Sequence, residues 1–276
     1  MNVLKVGKKN YSLDEETLVM GILNVTPDSF SDGGTYNETA LAVSHAVQME
    51  KDGAHIIDIG GESTRPGYEP VAAEEEISRV LPVIRELKKH VAVPVSIDTY
   101  KAEVAEEAVK AGADMINDVW GAKKDPAIAS VAARFKVPIA LMHNREDKDY
   151  TSIIPDMKKD LRGSVDIAEN AGVPRENIIL DPGIGFAKTS EDNLYVMRHL
   201  SDLCGLGYPV LLGTSRKRFI GEVLDVETNE RMEGTGATVC YGVAQGVQLV
   251  RVHDVKEIAR MTKMMDAMMG RSVRNG

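Results

Sequence analysis

The sequence has few of the features that mark secreted, disulfide-stabilised or membrane proteins. It contains two cysteines in 276 residues, Cys204 and Cys240, and their positions show no disulfide or metal-ligand spacing. The opening segment, MNVLKVGKKNYSLDEE, lacks the apolar core of a signal peptide. No apolar run approaches the ~20 residues that a transmembrane helix needs. We therefore expect a soluble, cytoplasmic protein.

Basic residues are also fewer than acidic residues. Lysine and arginine number 33 against 42 aspartates and glutamates, so the formal net charge is -9. Such a balance excludes a protein-wide attraction to nucleic acid or to an anionic membrane, and any basic site must be a local cluster. No linker, repeat or low-complexity segment divides the chain. We predict a single domain over residues 1–276, a length that barrels commonly reach.

Eight short apolar runs alternate with amphipathic segments; the runs begin at Leu18, His55, Val93, Asp114, Val137, Asn177, Tyr208 and Leu249. Runs without polar alternation are typical of parallel strands buried on both faces. Intervening segments such as AEEEISRVLPVIRELKKH (73–90) indicate helices, and eight such units favour a (β/α)8 TIM barrel. A doubly wound open sheet is the alternative, although its Gly-x-Gly-x-x-Gly fingerprint is missing after the first strand. The segment LKVGKKNYSLDEET predicts an N-terminal β-hairpin at the bottom of the barrel.

Every predicted strand ends in polar or ionisable residues: Asn24, Asp58 with Glu62, Asp98, Asn117 with Asp118, His143, Asp181, Ser215 with Arg216 and Lys217, and Arg251 with His253. Active sites of such barrels lie at this end of the strands. Single residues have simpler explanations, since Asp98 or Asp118 could cap the following segment and His143 could be a buried, hydrogen-bonded residue. Eight polar strand ends in register favour a functional rim.

The charges of this rim divide by sign. Cations and hydroxyl groups suited to phosphate or diphosphate form one set: Arg65, Arg216, Lys217, Arg251 and His253, with Ser63, Thr64 and Ser215. The second set is Asp98, Asn117 and Asp181, whose oxygens match adjacent N–H groups on a flat heterocycle. The two sets predict a ligand in which a nitrogen-rich ring carries a phosphorylated arm.

Seven motifs resemble those of the dihydropteroate synthase family, the sulfonamide-inhibited enzymes of folate biosynthesis: GILNVTPDSFSDGG, IIDIGGESTRPG, PVSIDTYKAEVA, INDVWG, LDPGIGFAKT, LLGTSRKRFIG and VRVHDV. They span residues 21 to 254 in the family's order. The resemblance implies condensation of p-aminobenzoate with 6-hydroxymethyl-7,8-dihydropterin diphosphate to give 7,8-dihydropteroate and diphosphate. It also implies bound Mg²⁺ and a homodimer. Because the pterin ring delocalises positive charge, we expect the C–O bond to break before the amine attacks.

The resemblance also implies roles for individual residues. The pterin would contact Asp98, Asn117, Asp181 and Lys217 in a slot walled by Met142, Gly185 and Phe186, while Asn24 would contact Mg²⁺. The diphosphate would contact Thr64, Arg251 and His253. Whether Arg251 also faces the ring is left open. Two loops would form the p-aminobenzoate pocket, one with Ser63, Arg65 and Pro66 and the other with Asp28, Phe30, Ser31 and Asp32. Lys217, Arg251, Asp98 and Asp181 are the expected catalytic residues. Arg218 stands where many members carry Ser, so its role stays open.

Three alternatives remain at this point. A pterin-dependent methyltransferase barrel would share the acidic slot but would not need the cations of STRPG, SRK and RVHD. A Schiff-base aldolase using Lys217 would need an apolar pocket that lowers the pKa of the lysine, and borohydride trapping would reveal it. A catalytically inactive binding barrel would fail a single turnover assay.

Overall fold

A computed structural model describes residues 2–25, 34–62 and 70–271. Its strands are β1 (Val3–Val6), β2 (Lys9–Ser12), β3 (Leu18–Asn24), β4 (Ile56–Gly60), β5 (Val95–Asp98), β6 (Met115–Asp118), β7 (Ile139–Met142), β8 (Ile178–Asp181), β9 (Leu211–Leu212) and β10 (Leu249–Val252). Its α-helices are α1 (Gly34–Lys51), α2 (Ala73–His90), α3 (Ala102–Ala111), α4 (Ala127–Phe135), α5 (Ile153–Asn170), α6 (Ser190–Arg198), α7 (Leu200–Cys204), α8 (Arg218–Leu224), α9 (Met232–Ala244) and α10 (Val255–Met268). Each of the eight predicted apolar runs contains one strand from β3 to β10.

These eight strands form a closed parallel barrel. They pair in the order β8-β7-β6-β5-β4-β3-β10-β9. A parallel bridge between Leu180 of β8 and Val210, the residue before β9, joins the two ends of that sequence. The Leu180 amide also donates to the carbonyl of Pro209 at 2.9 Å. The expected (β/α)8 barrel is therefore confirmed, and the open doubly wound sheet is wrong.

The strand sequences are apolar throughout because both faces of the barrel wall are covered. On the outer face, residues such as Ile57 belong to the same apolar core as helix residues such as Ile84 of α2. On the inner face, Leu4 and Val6 of the β1–β2 hairpin join a separate core with Leu18 at the start of β3. The hairpin thus fills the bottom of the barrel as predicted. Polar residues lie at the other end of the barrel, where the strands have their carboxyl ends.

The helices surround the barrel. None of the helices in the described ranges is long and apolar enough to cross a membrane.

Candidate active site

Strand register brings the predicted rim residues to one height. Asn24 pairs with Gly60 across β3 and β4, Gly60 pairs with Asp98 of β5, and Asp98 pairs with Asn117 of β6. On the far side of the wall, Met142 at the end of β7 pairs with Asp181 at the end of β8. Residues far apart in sequence therefore meet around the barrel mouth, as predicted.

Arg251 crosses the mouth and links two carboxylates. Its Nε donates to Asp58 Oδ2 and its Nη2 donates to Asp98 Oδ2, both at 2.6 Å. Asp58 Oδ2 also accepts a hydrogen bond from Asn117 Nδ2 at 3.0 Å. The second oxygens of Asp58 and Asp98 are buried and have no hydrogen-bond partner among the described residues. Buried acceptors of this kind are costly unless a ligand donates to them.

Asp98 does not cap the helix that follows it. That helix, α3, begins after Lys101, whose side chain makes no capping bond, and Asp98 is bound to Arg251 instead. Asp118 does stabilise the turn after its strand, because its carboxylate accepts from the amides of Trp120 and Ala122. The simpler explanation thus applies to Asp118 and is wrong for Asp98.

Asp181 and Lys217 meet at the turn that follows β8. Asp181 Oδ1 accepts from the Gly183 amide at 2.6 Å. The Lys217 ammonium donates to the carbonyl of Ile184 and lies 4.6 Å from the centroid of the Phe186 ring, within the range of a cation–π contact.

The backbone of this turn approaches Lys217 closely, in a conformation that favours glycine. Gly185 has a φ of +84°, and a Cβ atom there would lie 2.8 Å from Lys217 Cδ. Met142 borders the same turn, because its Cγ would lie 3.3 Å from a Cβ atom on Gly183. The three predicted wall residues, Met142, Gly185 and Phe186, are therefore grouped around this turn, and Gly185 and Phe186 contact Lys217.

Burial changes the proton affinity of these groups. It raises the pKa of Asp98 to about 7, with Arg251 opposing the rise and Asp58 adding to it. It also raises the pKa of Asp181, against the opposing charge of Lys217. For the Lys217 ammonium, burial lowers the pKa to about 8, although Asp181 opposes the change. Perturbed groups that converge in this way are typical of functional sites.

The cations of the SRKR segment (215–218) do not act as one cluster. Arg216 binds Asp254 through Nε at 3.0 Å and Nη2 at 2.5 Å, so its expected place in the anion site stays a prediction. Arg218 pairs with Glu222 on the surface, with 89% of its side chain exposed. Of the three consecutive cations, Lys217 is the one that reaches the barrel mouth.

His253 lies beside Ser215, as the strand ends predicted. The imidazole Nδ1 is 2.9 Å from Ser215 Oγ, which also accepts from the His253 amide at 3.1 Å. Asn24 lies half-buried at the end of β3, the strand that pairs with β10 in the barrel wall. Phe30, Ser63, Thr64, Arg65 and Pro66, with Asp28, Ser31 and Asp32, lie outside the described residues, so their assignments stay predictions.

Two residues carry more of the site than the sequence indicated. The sequence marks Asp58 as a polar strand end but does not indicate its bonds to both Arg251 and Asn117. Lys188, in the motif LDPGIGFAKT, is not among the predicted site residues, yet it is only 5% exposed. A charged residue inside an apolar strand, as in HIIDIG, was the available signal for Asp58. Lys188 gave no comparable signal.

Proteins of known function and structure are similar to this chain in sequence and in fold. A family model described as "Pterin binding enzyme" matches residues 20–253. The dihydropteroate synthase of Bacillus subtilis (strain 168) is 66% identical over 260 residues, which cover 94% of this chain and 91% of that protein. The structure of a Clostridium difficile dihydropteroate synthase in the presence of pteroic acid is 50% identical, with a TM-score of 0.92 and coverage of 94% of this chain and 98% of that one. A Xanthomonas albilineans dihydropteroate synthase with 4-aminobenzoic acid is 42% identical, with a TM-score of 0.92 and coverage of 97% and 98%.

Proposed function

The chain belongs to the dihydropteroate synthases of the pterin-binding enzyme family, and we propose that its barrel mouth joins p-aminobenzoate to 6-hydroxymethyl-7,8-dihydropterin diphosphate. The products are 7,8-dihydropteroate and diphosphate, in a transferase reaction of folate biosynthesis. The observation that carries the proposal is the meeting of Asp98, Asn117 and Asp181 with Lys217 and Arg251 at one end of the barrel.

We assign the pterin ring to the space between these groups. The ring carries adjacent N–H donors on one edge, and the orphaned oxygen of Asp98 is a matching buried acceptor. Asn117 can donate and accept at the same edge, and Lys217 can donate to the ring carbonyl. Phe186 and Met142 would cover the flat faces. Arg251 has five N–H donors, so two can bind Asp58 and Asp98 while others face the ligand.

Mg²⁺ is a further part of the proposal. Gly60 leaves room at the rim, because a Cβ atom there would lie 3.7 Å from both Asn24 Oδ1 and Asp98 Oδ2. Mg²⁺ prefers oxygen ligands and is commonly bound by one or two protein groups together with substrate phosphates. Among the described residues, no cluster of three or more His, Cys, Asp or Glu is arranged to hold a metal. The rim fits an ion held by Asn24 and the diphosphate, which would supply positive charge against the leaving group.

The protein's own contribution is electrostatic and positional. The C–O bond to the diphosphate breaks, and the lone pair of the p-aminobenzoate nitrogen forms the new bond to the pterin methylene carbon. The nitrogen then loses one proton. Asp98 and Asp181 place negative potential beside the ring as positive charge develops there. Arg251 and His253 lie where they can stabilise the departing anion. We propose that bond breaking precedes amine attack, because the ring delocalises the charge.

A homodimer in the cytoplasm completes the proposal. Exposed apolar side chains lie on α8, α9 and α10, and include Leu224, Tyr241 and Met268. These helices pack beside one another, so they offer a surface that a second copy of the chain would cover. Both cysteines are free thiols, which suits a reducing compartment. The solution mass, measured by light scattering, tests the dimer.

The activity is tested by following diphosphate release. With Mg²⁺ present, release should require both the pterin diphosphate and p-aminobenzoate, and dihydropteroate should form in equal amount. Omission of either substrate is the control. Failure to form dihydropteroate when both are present would overturn the proposal.

A further inference from the structure

Lys188 is a buried lysine that the proposed reaction does not use. It follows β8 by seven residues and is 5% exposed. Its Nζ lies 3.0 Å from each of three acceptors, which are the carbonyls of Gly183 and Phe186 and the Nδ1 atom of His143. A lysine ammonium has three N–H donors. The three donors and the three acceptors therefore match one to one.

The acceptors of Lys188 belong to the turn that walls the proposed pterin slot. Gly183 and Phe186 bracket this turn, and the Phe186 amide closes it on the Gly183 carbonyl at 3.1 Å. Between them, Ile184 presents its carbonyl to Lys217. Lys188 thus binds the first and last carbonyls of this turn, at Gly183 and Phe186. Lys217 binds the carbonyl of Ile184 between them.

His143 holds the ammonium in place from the other side. Burial lowers the pKa of Lys188 to about 7, although Asp181 opposes the change. In its protonated form the lysine can only donate, so His143 Nδ1 accepts and the imidazole proton lies on Nε2. His143 Nε2 is 3.2 Å from Asp160 Oδ2, which also accepts from Arg145 Nε at 2.6 Å. Burial, reinforced by the charge of Lys188, lowers the pKa of His143 to about 3. The ring is therefore neutral and can fill the acceptor role.

The turn also packs closely against its neighbours, which leaves little room for larger groups. Gly183 has a φ of +64°, and a Cβ atom there would lie 1.9 Å from the carbonyl oxygen of His143. A planar guanidinium has its donors in a rigid fork and cannot reproduce three converging bonds from one atom. The site is shaped for an ammonium.

We propose that Lys188 is a positioning residue for pterin binding. It fixes the turn of residues 183–187 and, through that turn, Lys217 and the Phe186 ring, while His143 and Asp160 fix Lys188. This inference rests on the proposed function of the slot. It assigns a role in ligand binding to a network that does not itself touch the ligand.

The test compares Lys188→Met with the wild-type enzyme. Methionine nearly preserves the length of the side chain but leaves the Phe186 carbonyl and His143 Nδ1 without the ammonium, and leaves the Gly183 carbonyl with the Phe186 amide alone. The affinity for a pterin analogue in calorimetry should therefore fall about tenfold or more. The KM for the pterin diphosphate should rise in parallel, while the KM for p-aminobenzoate should change less than about twofold if only the ring slot is disturbed. The ¹⁵N shifts of His143 should report the Nε2–H tautomer in the wild type, and in the variant they should show a higher His143 pKa, because the charge of Lys188 lowers it.

Lys88→Met is the matched control. Lys88 is also a lysine with a structural contact, 2.6 Å from Asp114 Oδ2, but it lies at the bottom of the barrel near the start of β5 and β6. Its loss should lower the melting temperature and leave the affinity for the pterin analogue unchanged.

A second pair of variants keeps the test valid if Lys188→Met does not fold. His143→Asn retains an acceptor near the position of Nδ1 and should bind the pterin analogue within about threefold of the wild type, whereas His143→Leu removes the acceptor and should lose about tenfold. If the wild type itself fails to bind a pterin, the proposed function fails. If the wild type binds and Lys188→Met binds equally well, or if both KM values rise together, the role of Lys188 is overturned.

Discussion

Asp98 should make pterin binding depend on pH in the neutral range. Its carboxylate is buried among charges from four elements, namely Arg251 of β10, Asp58 of β4, Glu76 of α2 and Asp118 of β6. Burial outweighs the attraction of Arg251, and the pKa of Asp98 lies at about 7 in the ligand-free protein. The proposed pterin contact needs the ionised form, because the N–H groups of the ring require an acceptor.

The size of the effect follows from this competition between proton and ligand. If only ionised Asp98 binds the ring, the dissociation constant rises tenfold for each pH unit below the pKa of Asp98. From Asp98 alone, the affinity at pH 5.5 should be roughly 30-fold lower than with Asp98 fully ionised, which corresponds to about 2 kcal/mol.

The stability of the free protein should change with pH in the opposite sense. Because the pKa of Asp98 is raised on folding, the folded state holds a proton that the unfolded state has released. The contribution of Asp98 to stability is therefore greatest below the ordinary pKa of an aspartate and is lost as the pH rises toward 7. Weaker binding at pH 5.5 cannot then be ascribed to a destabilising effect of Asp98 on the fold.

Calorimetry with an oxidised pterin analogue between pH 5.5 and 8 measures this dependence. The control is Asp98→Asn, which should bind weakly at every pH and show a flatter profile. An affinity of the wild type that stays constant over this range would refute the reasoning, and so would an Asp98→Asn variant with the full wild-type slope.

Two further substitutions test the other charged groups of the slot. Asp181→Asn removes the charge opposite Lys217 and should weaken binding of the pterin analogue by about 2–4 kcal/mol while the circular dichroism spectrum stays unchanged; unaltered affinity would remove Asp181 from the site. Arg251→Lys keeps the charge but replaces the two donors that hold Asp58 and Asp98 by a single ammonium, so kcat/KM should fall at least tenfold, about 1.4 kcal/mol; near-normal turnover would mean that the bridge has no role in the reaction.

The barrel was predictable because local and global signals agree in this chain. Helix α2 covers residues 73–90 as predicted, with Glu74 to Glu76 in its first turn and Lys88 to His90 in its last, which suits the helix dipole. Each strand is an apolar run because the wall is covered on both faces. Such patterns need only neighbouring residues to be recognised.

The site was less predictable because its contacts join residues far apart in sequence. Arg216 and Lys217 are adjacent cations, yet Arg216 has a φ of +56° and binds Asp254, 38 residues away. Nothing within SRKR distinguishes the residue that enters the barrel mouth from the one that turns to Asp254. Lys188 was unpredictable for the same reason, since its acceptors are two backbone carbonyls and the ring of His143, 45 residues away.

A final prediction concerns Asp58, which contacts two other residues of the site and influences the pKa of a third. Its Oδ2 is shared by Arg251 and Asn117, and its negative charge is one of the causes of the raised pKa of Asp98. In Asp58→Asn, that charge is gone and Arg251 can bind Asp98 alone. The pH midpoint for pterin binding should therefore fall below the wild-type value, by on the order of one unit or 1.4 kcal/mol.

The same variant should bind the pterin analogue more weakly at pH 8, because Arg251 and Asn117 lose a shared charged acceptor. Its affinity would thus be lower than that of the wild type at pH 8 but would decrease less on acidification. A merely destabilised site would lose affinity equally at both pH values. Asp118→Asn is the matched control, since Asp118 also raises the pKa of Asp98 but contributes less than Asp58. Its midpoint should shift less, and an equal shift in both variants would contradict a specific role for Asp58.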